Sequence, residues 1–179
     1  MADRRRGSGV AGRGTRISPH RLAAGRLAQC FGVAWRREPG LFDPDIGAQI
    51  ELGFGVDGPH LAGLLRLRER IHAAANAFFA RYEALLCPTA PVEAWPLGSL
   101  GPARIGGRPV GSRGHAAFTP LFNYANLAAV SLPCGVGARG LPVGLQIGGP
   151  RFADARVLQL AWHAERILGP SAPSPLLLE

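Results

Sequence analysis

One stretch constrains the fold more than any other: "SLPCGVGARGLPVGLQIGGP", residues 131–150. Two apolar runs flank a loop studded with glycine, and prolines punctuate both runs. Alternation puts Val130 and Leu132 on one side and Ser131 on the other. In the return run Val143, Leu145 and Ile147 share a side, while Gly144, Gln146 and Gly148 share the opposite one. The pattern predicts strands over 129–134 and 142–148, with a loop over 135–140 long enough for an antiparallel return. A glycine weakens a strand interior unless something must come close there, so Gly144 and Gly148 predict a helix or a second backbone pressed on that side. The hairpin is built against partners, which the remaining residues must supply.

Those residues supply some of them. "FDPDIGAQIELGFG" reads as a short helix, with Asp43 as N-cap, Pro44 in the first helical position and Gly53 closing it. "PHLAGLLRLRERIHAAANAFFARYEALL" carries Leu61, Leu64, Leu65, Ile71, Ala75, Phe78, Phe79 and Tyr82 at spacings of three and four. Arg66, Arg70, Asn76, Arg81 and Glu83 take the other side, so residues 59–83 form an amphipathic helix. Leu85 and Leu86 open a short strand over 85–89, which Pro88 and Pro91 end. A Gly-, Pro- and Arg-rich loop follows to about Ala116, of a length that is functional or disordered in compact proteins. "FADARVLQLAWHAERILGP" predicts a second amphipathic helix over 153–168, with Val157, Leu158, Leu160, Ala161, Ala164, Ile167 and Leu168 inward and Gly169–Pro170 as its stop. The order is helix, helix, strand, long loop, strand, strand, helix. It defines an α/β layer of a few mixed or antiparallel strands packed with two main amphipathic helices, too few to close a doubly covered sheet. Three segments result: an Arg-rich, disordered 1–38 that holds at most a short helix near 20–35, a folded 39–170, and a loose tail 171–179.

Charge separates the first of these from the rest. Residues 1–37 hold nine Arg against one acid, and residues 38–179 hold eleven Arg against eleven acids, so the net charge of +8 lies entirely in the opening segment. There is no lysine, and with 25 Gly and 16 Pro the composition reads as the coding bias of a GC-rich genome rather than selection for a polyanion. The arm lacks aromatic residues before Phe31 and the body is neutral, which speaks against nucleic acid as a partner. Every apolar run is cut by Gly, Pro or Arg, so no membrane span is expected. Cys30, Cys87 and Cys134 are odd in number and far apart. They suit free thiols in a reducing cytoplasm, with no disulfide framework and no zinc site.

Chemistry-bearing patterns are scarce. Neither a G-x-x-x-x-G-K loop nor a strand-borne G-x-G-x-x-G occurs; "GVGARG" at 135–140 leads into a strand and reads as a hairpin loop. The five His make no H-x-x-x-H or H-x-x-E-H pair. Ser131, His115 and Asp154 could be drawn together as a triad, but no spacing supports it and no G-x-S-x-G elbow is present. No catalytic residue, metal site or cofactor is assigned on these grounds.

Taken in order, the segments say more. "LLCPTAP" (85–91), "FTPLFN" (118–123), "SLPCG" (131–135), "GLPVGLQIGG" (140–149) and "FADA…AERIL" (152–168) resemble the closing portion of the amidase signature family over about residues 40–168. The resemblance implies hydrolysis of carboxylic amide C–N bonds without metal or organic cofactor. It implies that Thr89, Phe118, Thr119 and Asn123 line the substrate pocket. In place of the family's N-x-T-G-x-P-A this chain reads "NYANLAA", with Asn126 at the usual Gly and Ala128 at the usual Pro. Asn tolerates the left-handed conformation better than most residues, so that turn is expected to survive. A larger departure is that the family's Ser–cis-Ser–Lys triad has no counterpart: the sequence has no lysine, no adjacent serines and no G-G-S-S run. The expectation is therefore a C-terminal amidase fragment, inactive alone. It would pair with a front-half amidase chain, act as a scaffold on an intact amidase, or self-associate through open sheet edges. A nucleic-acid-binding role for the basic arm is the remaining alternative.

Overall fold

The computed structural model describes residues 19–111 and 113–169. The disorder expected for the first 18 residues and the loose tail over 171–179 fall outside them. The described residues form two compact units divided within one helix, at Leu67 and Arg68, rather than at residue 38.

The first unit is helical. Residues 19–38 are not an unstructured arm: Pro19–Arg37 form α1, longer at both ends than the short helix expected. A single 3-10 turn, Pro39–Leu41, leads to α2, Pro44–Phe54. Asp43 caps α2 as expected, its carboxylate accepting from the backbone N–H of Asp45 at 2.8 Å and of Ile46 at 3.4 Å. Gly53 does not close the helix; Gly55 stands at its C-terminus. Gly53 is instead buried where α2 crosses α1, and a Cβ there would run into the carbonyl of Ala24. The helices also meet through the Trp35 indole, which packs on Gly47 and donates from Nε1 to Glu51 Oε1 at 2.6 Å. Phe42 lies edge-on to Phe31 and Trp35.

Gly58–Phe79 form α3. Asp57 caps it, accepting from His60 N–H at 2.7 Å. Its apolar stripe is only partly used: Leu64 and Ala75 are buried, whereas Leu61, Leu65 and, just beyond the helix, Tyr82 are exposed.

The second unit is built on a three-stranded antiparallel sheet. β1 is Leu85–Pro88, and the long loop after it carries a hairpin not foreseen, β2 at Arg104–Ile105 and β3 at Arg108–Pro109. Pro120–Ala125 form α4, Ala128–Val136 form β4, Pro142–Gly149 form β5 and Asp154–Leu168 form α5. Strand order is β1–β5–β4, and all pairings are antiparallel. Register places Leu86, Ile147 and Val130 in one row, and Leu85, Gly148 and Ala129 in the next. Facing residues on paired strands share a side of the sheet. On one side lies the core, where Leu132 and Ile147 meet Ala161 of α5, flanked by Val130, Leu145, Leu160 and Ala164. Leu158, Ile167 and Leu168, expected inward, are exposed. On the other side Gly148 receives the ring of Phe122 from α4, where a Cβ would collide with Cε1. The close approach that the glycines predicted is thus a helix at Gly148. Asn126 ends α4 at φ 51° and ψ 45°, so the left-handed turn survives without glycine. Arg68 of α3 braces that turn, donating to Tyr124 O at 3.3 Å and to Asn126 Oδ1 at 3.4 Å.

Candidate functional site

The α4 side of the sheet carries its polar side chains. Cys87 and Thr89 project there from β1 and its exit, Gln146 from β5, and Ser131 from β4. β5 runs between the other two strands, and Gly144 leaves a gap in the middle. Thr89 and Ser131 close the gap: their hydroxyls lie 2.6 Å apart, above a glycine whose Cβ would stand 2.7 Å from Thr89 Oγ1. Within such a pair one O–H donates to the other oxygen, and the second hydroxyl keeps its hydrogen for another acceptor. The Thr89 N–H donates to Gly144 O at 2.8 Å, extending the β1–β5 ladder by one residue. Gln146 is buried and donates from Nε2 to Cys87 Sγ at 3.6 Å. Burial pushes the Cys87 thiol above its usual pKa, against a smaller opposing effect of the Gln146 hydrogen bond.

Of the residues expected to line a pocket, Thr89 belongs to this polar row. Phe118, Thr119 and Asn123 lie together at α4: Phe118 and Thr119 are half-buried at its start, and Asn123 is exposed. Gly148, where α4 touches the sheet, is four residues from Gly144, which amounts to roughly 13 Å along a strand. Ser131, His115 and Asp154 have separate employments. Ser131 meets Thr89, His115 stacks on Trp95 with centroids 4.9 Å apart, and Asp154 opens α5. Among the described residues no cluster of His, Cys, Asp and Glu is placed to hold a metal, and no helix is long and apolar enough to cross a membrane.

A cleft of about 660 Å³ opens beside β1. It is lined by Leu86–Pro88, Ala90–Glu93, Cys134 and Val143–Leu145. Glu93 is the sole charged residue of the lining, and its carboxylate is taken up by the hairpin loop. Arg139 donates from Nε to Glu93 Oε2 at 2.9 Å and from its backbone N–H to Oε1 at 3.3 Å, while its Nη2 donates to Ala94 O at 2.7 Å. Partial desolvation pushes the Glu93 carboxyl up, but these hydrogen bonds and the guanidinium charge hold it below the usual range. No sequence motif announced the cleft, because it depends on β1 lying next to β5 instead of its nearer sequence neighbour β4.

A family model described as Amidase matches residues 57–158, more than half of the chain. The chain belongs to this family, that of the amidase signature enzymes. It is 39% identical over 143 residues to the A subunit of the glutamyl-tRNA(Gln) amidotransferase of Symbiobacterium thermophilum, covering 77% of this chain and 28% of that protein. It is 33% identical over 112 residues to the corresponding protein of Halothermothrix orenii, covering 63% and 22%. A crystal structure of an amidase superposes with a TM-score of 0.77 at 26% identity, over 84% of this chain and 34% of that one. A bacterial aryl acylamidase of the amidase signature family gives 0.68 at 25% identity, over 82% and 32%. The chain thus spans about a quarter of the curated relatives it matches.

Proposed function

We propose that this chain forms the C-terminal portion of a hydrolase of carboxylic amide C–N bonds, supporting a catalytic centre without supplying its nucleophile. The observation that carries this reading is that the motifs, in order, fold as one sheet with α4 and α5 packed on it, and that the Thr89–Ser131 pair spans Gly144 on its polar side. That pair is no nucleophile–base couple: among the described residues each hydroxyl has only the other as a side-chain partner, and a hydroxyl activates a nucleophile poorly without an amine, imidazole or carboxylate. The lysine and paired serines implied by the resemblance have no counterpart in the 179 residues, so polypeptide beyond them supplies that chemistry. Thr89, Phe118, Thr119 and Asn123 would then present the sheet's polar side and α4 to the substrate. Three free thiols suit a reducing cytoplasm.

Ammonia release from simple amides tests the reading. The chain alone should stay at background. Joined by the remaining portion of an amidase, it should gain turnover that Thr89→Val or Asn123→Ala weakens. Turnover by the purified chain alone that vanishes on Ser131→Ala would overturn it.

A further inference from the structure

We propose that the cleft beside β1 seats an amphipathic helix from the part of an amidase-type polypeptide that lies outside these 179 residues. The inference rests on the reading above and adds which surface is covered, and by what.

The cleft continues a surface that is already an interface. Leu145 packs under α5 as part of the core flank and also lines the cleft. One row along, Leu86 and Ile147 face each other across β1 and β5, on the α5 side of the sheet. Ile147 is 2% exposed and Leu86 is 60% exposed. α5 packs mainly on β4 and β5 and reaches the β1 side at its entry, where Arg156 pairs with Glu83, so its footprint falls short of Leu86. A helix layer covers such a side by setting helices next to one another, with axes about 8–10 Å apart. The vacant lane next to α5 lies over β1.

Chemistry chooses the occupant. Leu86, Pro88, Val92, Val143 and Leu145 give the lane an apolar surface. Its one charge, Glu93, is already paired with Arg139, leaving no free ion for a polar ligand. An apolar helix stripe asks for no such partner. The solved amidase with the TM-score of 0.77 has roughly two-thirds of its length outside the match, which is ample chain to provide the helix.

The cleft carries its own reporter in Cys134, which lines it; Cys87 turns its thiol to the α4 side, against Gln146, and serves as the internal control, and the other cysteine, Cys30, stands on α1. Cys30→Ser chain is to be alkylated with a maleimide alone, and again after co-purification with the Symbiobacterium thermophilum relative from which the matched segment has been deleted. A complex should form, and labelling of Cys134 should slow by about tenfold or more as the lane is filled. Leu86→Arg should cut capture by about tenfold or more, because the new charge would be buried unpaired, and leave the far-ultraviolet spectrum of the chain unchanged. A complex with Cys134 as reactive as before, or one that captures Leu86→Arg equally well, would overturn the cleft as the interface and leave the amidase reading standing. Absence of any complex, with the chain a cooperative monomer, would remove both. A discrete dimer of the chain alone that already shields Cys134 would give the lane to a second copy. Shielding by a small apolar amide alone would give it to a ligand.

Discussion

Val130 and Leu86 flank Ile147 from opposite strands, in one row and on one side of one sheet. Val130 lies at the margin of the α5 core, half-buried, whereas Leu86 stands 60% exposed. Sequence pattern gives both the same instruction, an apolar side chain on the inward face of a strand. What differs is whether a helix has arrived. Covering an apolar side chain contributes on the order of 25 cal/mol per Å², so the β4–β5 half of the sheet is stabilised by α5 while the β1 half is held by its ladder to β5. The same contrast recurs on α5 itself, where Val157 and Ala161 are buried and Leu158 and Ile167 are not. Apolar residues at inward-facing positions thus stay exposed where no described helix reaches them.

The comparison can be broken most directly by truncating each side. In the two-chain assembly, Leu132→Ala should lower stability by about 2–5 kcal/mol, because the cavity opens under α5. Leu86→Ala should cost clearly less in the chain alone than in the assembly. Denaturant midpoints check this, and equal losses in both would erase the distinction between the covered and bare halves. A smaller effect is expected on the opposite side: Gly148→Ala forces the Phe122 ring off the sheet at about 1–3 kcal/mol, while Gly111→Ala, which meets nothing, should be near neutral.

Much of this was legible in the sequence, and the limits have physical causes. Alternation at Val143, Leu145 and Ile147 and the glycines at 144 and 148 located β5, its two sides and a close contact, because strand period and the lack of a side chain are local properties. Asp43 and Asn126 were readable for the same reason: capping and left-handed turns depend on a single residue type. Gly53 reads as a stop in the sequence but admits α1 in the fold, since a glycine near a helix end looks the same whether it terminates the helix or admits a neighbour. The β2–β3 hairpin has two residues per strand, too short for any period to show. The Thr89–Ser131 bridge and the cleft were invisible because both depend on β1 crossing to β5, a pairing between residues about 60 positions apart. The inward expectation for Leu158, Ile167 and Leu168 followed the apolar stripe correctly, but a stripe says what wants burial and not what is present to bury it.

Finer tests sharpen the contrast further. Thr89→Val and Ser131→Ala should each cost about 1 kcal/mol, and the double variant less than their sum, since the hydroxyls bond each other. Additive losses would mean that the bridge contributes nothing. The smallest expected effect concerns pH. Because Arg139 depresses the Glu93 carboxyl in the folded state, its contribution is complete above the ordinary Glu value of about 4.3, and it is lost as pH falls through the depressed one. Glu93→Gln should flatten acid sensitivity in that window and leave neutral pH nearly unaffected, as acid titration of the unfolding midpoint would show.

The central claim is that these residues need more polypeptide to bury what they expose, and the most direct measurement is sedimentation with thermal unfolding of the chain alone. Among the described residues both outer strands of the sheet have an unpaired edge, and the apolar row at Leu86 lies open, surfaces that promote association. The account predicts a polydisperse, associating species with a broad, poorly cooperative transition. A monodisperse monomer with one sharp transition would contradict it and make this chain a self-sufficient domain.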